Sequence, residues 1–208
     1  MQDNNVKNLF KVCRRISSDP GVLNSLIEEV ETGRQGEVLS SLNSSLSAIT
    51  AEDLGFTPQN YYKPGFITYS EVYEDTDLSM GLFGMSKGTG FPIHDHPYMI
   101  AISAVLQGRM KYRNLDMVSR ESPEHCTART LKQGEVVGPA ILYLTPNMGN
   151  LHELYALEET VFLDIFMPSY NDHDRTCTSY YEYETGKLQV FQPEIYFRGI
   201  SYMGKALE

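Results

Sequence analysis

Tryptophan is absent from this 208-residue chain, and cysteine, basic charge and long apolar runs are all scarce. The longest apolar-rich stretch, 99–106, is broken by Ser103 and falls far short of the roughly 20 residues a bilayer-crossing helix needs. The first residues, MQDNNVKNLFKVCRRISSD, carry no apolar signal core, so neither membrane insertion nor export is expected. Cys13, Cys126 and Cys177 form no CxxC pair and no even-numbered framework, which points to a reducing compartment: the cytoplasm, with the nucleus as a second location. Lys and Arg number 17 against 27 Asp and Glu, a net charge of −10 that repels phosphate backbones and anionic membranes. Nucleic acid is therefore not an expected partner. No repeat, heptad, basic patch or exposed apolar stripe stands out, and the expected state is a monomer.

Two textures divide the chain. Val6, Leu9, Phe10, Cys13 and Ile16 recur at helical spacing, and Val22, Leu23, Leu26, Ile27 and Val30 repeat the stripe after Asp19-Pro20, a cap followed by a first-turn proline. Val38, Leu39, Leu42, Leu46 and Ile49 make a third, weaker stripe, and 50–53 can cap one last short turn. From Tyr61 onward, runs rich in Val, Ile, Tyr, Phe and Thr alternate with turn residues. They predict strands at 66–73, 79–85, 99–106, 109–118, 127–132, 141–144, 151–157, 160–166, 179–184 and 188–197. The expectation is a mainly β sandwich or barrel over 56–208, with a helical segment over 1–55 packed on it.

The sharpest local feature is Phe91-Pro-Ile-His94-Asp-His96-Pro. Histidines two apart on an extended segment point to the same face and can reach one ion. An isolated pair of this kind is as readily a hydrogen-bonded turn with exposed imidazoles, and two histidines do not name a metal.

The surroundings resemble the first cupin motif, with Gly88 ahead of the pair and Gly108 after it; Ala101 stands where a glutamate is usual. Pro146-Asn-Met-Gly149-Asn-Leu-His152 is similar to the second motif, one residue longer than the common form. The resemblance implies three histidine ligands, His94, His96 and His152, and no carboxylate. Three neutral ligands leave an ion its full charge, which favours an incoming thiolate.

Pro92-Ile-His94-Asp-His96-Pro, Asn150-Leu-His152, Phe162-Leu-Asp164-Ile, Pro168-Ser-Tyr170 and Arg175-Thr-Cys177 together resemble the cysteamine dioxygenases and plant cysteine oxidases, in similar order across roughly 80–185. That resemblance implies a cupin-type double-stranded β-helix (a jelly-roll barrel) holding one Fe(II). It also implies insertion of both atoms of O2 into a thiol to give a sulfinic acid. Substrates in the family are cysteamine and the N-terminal cysteine of proteins or peptides, where oxidation serves oxygen sensing.

Each further site residue has two readings. Asp164 interrupts an apolar strand and is either a pocket carboxylate orienting the substrate amine or a ligand histidine, or a buried acid satisfied by backbone or arginine. Tyr170 is either a hydrogen-bonding group near the dioxygen position or a packed ring. Cys177 matches the family's cysteine, yet Cys177-Thr-Ser-Tyr180-Tyr181 is one residue longer than the family pattern, and an inert buried thiol fits equally. Tyr98 and Gln107 stand where glycine and an aromatic residue are common, with consequences expected for the pocket mouth and substrate choice. His125 and His173 read as surface residues and Cys13 as packing. Two competing functions are a zinc or nickel cupin acting as an isomerase or hydrolase, and a binding module that kept the barrel without catalysis.

Overall fold

The computed structural model describes residues 4–171 and 173–207, so 1–3 of the expected helical segment and Glu208 lie outside it. Helix α1 (Asn5–Ser17) starts on Asn4, whose side chain accepts from the Lys7 N–H, and buries Val6, Leu9, Cys13 and Ile16, the stripe its spacing predicted. Helix α2 (Pro20–Thr32) is capped by Asp19, which accepts from the N–H groups of Gly21 and Val22. Helix α3 (Glu37–Ser47) begins at Gly36, which has no side chain to cap it. Glu29 of α2, only 6% exposed, supplies the cap by accepting from the Leu39 N–H at 2.7 Å. A Cβ at position 36 would lie 1.9 Å from the Glu29 carboxylate, so the arrangement requires glycine. Thr50 and Asp53 bond reciprocally around a 3-10 turn at Glu52–Leu54, and a short helix α4 (Pro58–Tyr61) follows, which the sequence pattern did not signal.

Among the described residues twelve strands follow: β1 (Ile67–Glu74), β2 (Ser79–Met85), β3 (Gly90–Asp95), β4 (Ile100–Gln107), β5 (Arg109–Arg120), β6 (His125–Val137), β7 (Ala140–Leu144), β8 (Leu151–Ala156), β9 (Thr160–Met167), β10 (Ser179–Glu184), β11 (Lys187–Val190) and β12 (Phe197–Gly199). One sheet runs β12-β1-β2-β9-β4-β7, and the other closes on itself in the order β10-β11-β6-β5-β8-β3. Between them, β2-β9-β4-β7 faces β3-β8-β5-β6, with the chain crossing from sheet to sheet at almost every turn. That is the expected double-stranded β-helix. The predicted strand over 188–197 is in fact two, because Pro193 offers no N–H to a ladder and the chain leaves the sheet until Phe197. Strand β6 is longer than 127–132 because its outer half pairs with β5 as an exposed ribbon.

Strand β9 explains the packing. All eight of its residues are buried. Val161, Leu163, Ile165 and Met167 face one core with Leu9, Leu26, Leu42 and Leu54 of the helical layer, each apolar side chain contributing about 1.5–3 kcal/mol. Phe162 and Phe166 face the other way, into the barrel. Strand β3 divides two further compartments. Ile93 joins Leu115, Leu151, Cys126 and Tyr180 in the small closed barrel, while His94 turns to the opposite side. Among the described residues no helix is long and apolar enough to cross a membrane.

Candidate metal centre

His94 and His152 are paired across β3 and β8, so their side chains leave the same face of the sheet. His96 follows two residues after His94, beyond the end of β3. All three are buried, with exposures of 8, 1 and 3% for His94, His96 and His152. Their Nε2 atoms converge: His96 to His152 at 2.9 Å, and His152 to His94 at 3.0 Å.

For His94 and His96 the outer ring nitrogen has a partner that sets the tautomer. His94 Nδ1 lies 2.9 Å from the Pro92 carbonyl, which only accepts, so the proton sits on Nδ1 and the lone pair on Nε2. His96 Nδ1 is 2.6 Å from the Tyr170 hydroxyl, whose own proton goes to the Asp95 carbonyl at 3.2 Å. His96 therefore also aims a lone pair inward. Burial depresses all three imidazoles, His94 to about 4 and the other two well below the ordinary range. His94 and His96 turn lone pairs towards His152 Nε2, and three neutral imidazole nitrogens gathered in one buried cluster are a donor set that fits a metal ion. Phe166 stacks on the His96 ring at 5.2 Å and restricts its rotation.

Beside the histidines opens a cavity of about 730 Å³. Asp164, Tyr170 and Cys177 all line it, so the structure brings together the six candidate residues. Asp164 is 6% exposed; its Oδ1 has no hydrogen-bond partner among the described residues, and it forms no ion pair there. Burial pushes its carboxyl up to about 7, offset in part by the Ser103 hydroxyl across the β4–β9 ladder. The reading of Asp164 as an acid satisfied by arginine is thereby corrected. Cys177 is exposed along the cavity rather than buried. Its sulfur is still partly desolvated, which, with the nearby Asp95 carboxylate, pushes the thiol up to about 11. The tyrosine beside that sulfur is Tyr170; Tyr180 turns away into the small barrel.

Two expectations fail on position. Tyr98 is 73% exposed at φ +61 and lines a separate depression with Asp95, Asp116 and Arg120, so it does not narrow the mouth of the metal-site cavity. Gln107, at the far end of β4, reaches Glu52 at 3.4 Å and touches nothing near the histidines. His173 is exposed and His125 half-buried against Ser122; Cys13 is fully buried in the helical core, its thiol raised to about 12 by burial.

Sequence reasoning missed Asp95. Its carboxylate accepts from the Thr178 N–H at 2.7 Å and the Tyr180 hydroxyl at 2.9 Å, with Arg120 donating to Tyr180 at 2.8 Å. The signal was present: on an extended segment, the residue between two inward histidines must face the other compartment. Glu74, which lines the cavity from β1, carried no such signal.

A double-stranded β-helix with three imidazoles converging at its cavity places the chain among cupins able to hold a metal ion. Its residues 41–195 match PCO_ADO, and the chain belongs to that family. Over 184 residues it is 31% identical to the 2-aminoethanethiol dioxygenase of Mus musculus, covering 72% of each chain. Over 202 residues it is 28% identical to plant cysteine oxidase 1 of Arabidopsis thaliana, covering 88% of this chain and 65% of the relative. Among solved structures, a cupin superfamily protein of Desulfitobacterium hafniense aligns with a TM-score of 0.41 and 11% identity, covering 52% of this chain and 83% of that one. A double-stranded β-helix protein of Klebsiella pneumoniae aligns at 0.42 and 17%, covering 59% and 87%.

Proposed function

We propose that this chain is an iron(II)-dependent thiol dioxygenase. In this reading it converts the N-terminal cysteine of a protein or peptide, or cysteamine, to the sulfinic acid, R–SH + O2 → R–SO2H. The observation that carries the reading is one cavity in which three neutral histidines converge next to an unpaired, buried Asp164. The family's relatives, named for dioxygenation of 2-aminoethanethiol and for cysteine oxidation, support the reaction class.

Three imidazole donors with no carboxylate among them would hold iron(II), and the relatives named as a dioxygenase and a cysteine oxidase favour it over zinc or nickel. Iron(II), when bound, would supply the coupling of dioxygen to oxidation of the sulfur, with electrons from the thiol and no external reductant.

The protein groups bind and orient. Asp164 and Glu74 are the charged side chains lining the cavity, where no Lys or Arg appears, so it accepts a cation. Asp164, as carboxylate, holds the substrate ammonium, which both thiols carry two carbons from the sulfur. Tyr170 locks the His96 ring through Nδ1. Cys177 stays a thiol at neutral pH and packs beside Tyr170 at the cavity wall. A cavity of 730 Å³ exceeds what cysteamine fills, which supports a polypeptide N-terminus as substrate; a role in sensing oxygen would follow from that choice of substrate. The helical layer, within 1–55, serves as the platform under the barrel of 56–208.

The test offers the iron(II)-loaded protein cysteamine and a short Cys-initiated peptide, separately, with dioxygen. Mass spectrometry should find two oxygen atoms added to at least one thiol, and none without oxygen. Bound iron with no oxygen inserted into either thiol would sink the reading.

A further inference from the structure

Two of the three histidines have a partner that fixes the outer ring nitrogen: Pro92 for His94 and Tyr170 for His96. For His152 Nδ1 none is found among the described residues, although its Nε2 lies in the cluster. A ligand imidazole needs such an acceptor, because Nδ1 carries the proton when Nε2 binds the metal.

Directly across the β5–β8 ladder from His152 stands Asn114. His94, His152 and Asn114 thus form one row over β3, β8 and β5, with side chains on the same face, inside the barrel. Asn114 is 7% exposed, and its Oδ1 is buried without a hydrogen-bond partner among the described residues. Its burial is built in. The turn before His152 ends at Gly149, held at φ +67 by a bond from its N–H to Asp116 at 2.7 Å. A Cβ there would come within 3.4 Å of the Asn114 Cβ, so the turn closes over the asparagine. Immediately after Asn114 the ladder shifts register, and Leu115 turns into the small barrel. An amide carbonyl kept dry without a partner is a costly choice where a Leu or Val would pack.

We propose that Asn114 is the positioning residue for His152: its Oδ1 accepts the Nδ1–H once a metal draws the Nε2 lone pair inward. The inference rests on the reading of the three histidines as metal ligands. An acceptor here sets the tautomer, aims the ring and raises its basicity. Asn114 does not line the cavity and touches no substrate, so it acts only through His152.

The experiment uses the full chain loaded with cobalt(II) or zinc rather than an activity assay. In the zinc form, the His152 Nδ1–H should give a downfield proton resonance that exchanges slowly with solvent. Asn114→Ala should abolish that slow exchange and weaken cobalt(II) binding, read by its visible spectrum, about 10- to 100-fold. Asn114→Asp keeps an acceptor and should hold or tighten the affinity. An asparagine that merely packs would lower the Tm of the alanine variant and leave affinity and resonance alone, which overturns the proposal. Rapid exchange of the His152 Nδ1–H in the unmutated zinc form would also overturn it, by assigning the proton to water; that measurement needs no variant to fold. Failure of the unmutated chain to bind cobalt(II) at all would instead remove the metal reading beneath it.

Discussion

Two aspartates, Asp95 and Asp164, are almost equally buried, at 7 and 6%, and stand on opposite sides of the sheet that carries the histidines. Asp95 closes the end of the small barrel with a bond on each carboxylate oxygen, from the Thr178 N–H and from the Tyr180 hydroxyl, to which Arg120 donates in turn. Asp164 lines the cavity with Oδ1 bare and no arginine near. Burial raises both carboxyls, but only Asp95 has hydrogen bonds and a cation pulling it back strongly. The same residue type is thus held by the fold at one position and left short of partners at the other.

His152→Ala should have the largest effect, eliminating turnover and stoichiometric iron, as measured by metal analysis and mass spectrometry. Asp164→Asn comes next. It should lower kcat/KM for amine-bearing thiols about 100-fold, in line with loss of a charge-assisted hydrogen bond. It should also stabilise the metal-free protein. A carboxyl raised from 3.8 to about 7 binds its proton more tightly folded than unfolded. The penalty is absent below about pH 4, grows through neutrality and reaches at most about 4 kcal/mol above pH 7. Urea midpoints should therefore separate the variant from the parent modestly at pH 5 and more than twice as far at pH 8. Equal midpoints at both pH values would break the contrast with Asp95. For the unmutated protein, on the proposed reading, kcat/KM should fall as pH drops through about 7.

Tyr170→Phe should cost about 10-fold in metal affinity by freeing the His96 ring, with a smaller effect on stability. Asp95→Ala should do the reverse. It leaves the Thr178 N–H and Tyr180 hydroxyl without an acceptor and should cost about 2–3 kcal/mol in denaturant unfolding. Smallest is Tyr98→Gly: relief of the left-handed backbone and the added freedom of glycine nearly cancel. Stability should move by less than about 1 kcal/mol and turnover not at all. A changed substrate preference in this variant would put Tyr98 back at the cavity.

What could be read from the sequence follows the range of the forces involved. The helical stripes, most of the strands and the His94–His96 pair are set by neighbours a few residues apart and stand where the pattern put them, although β3 itself (Gly90–Asp95) was not among the expected strands. Asp164 was legible because a lone acid in Val161–Phe166 must have a reason to be there. The bond from Tyr170 to His96 spans 74 residues and exists only once the barrel has closed. Asn114 sat in an unremarkable polar strand, and only the cross-strand register reveals what it faces. The break at Pro193 was visible in principle, but flanking Val190 and Ile195 disguised it as one strand.

Glu31, near the end of α2, accepts bonds from the Thr145 hydroxyl at 2.5 Å and from the Asn147 amide at 3.1 Å, both in the turn that leads to His152. The helical layer therefore holds the approach to the third histidine from outside the barrel. A metal-sensitive probe at His152 would double as a gauge of whether that layer is docked. Mild denaturant that lifts α2 should release metal before the β-sheets lose their far-ultraviolet signal, and a fragment starting at the barrel should bind metal more weakly while retaining all three histidines.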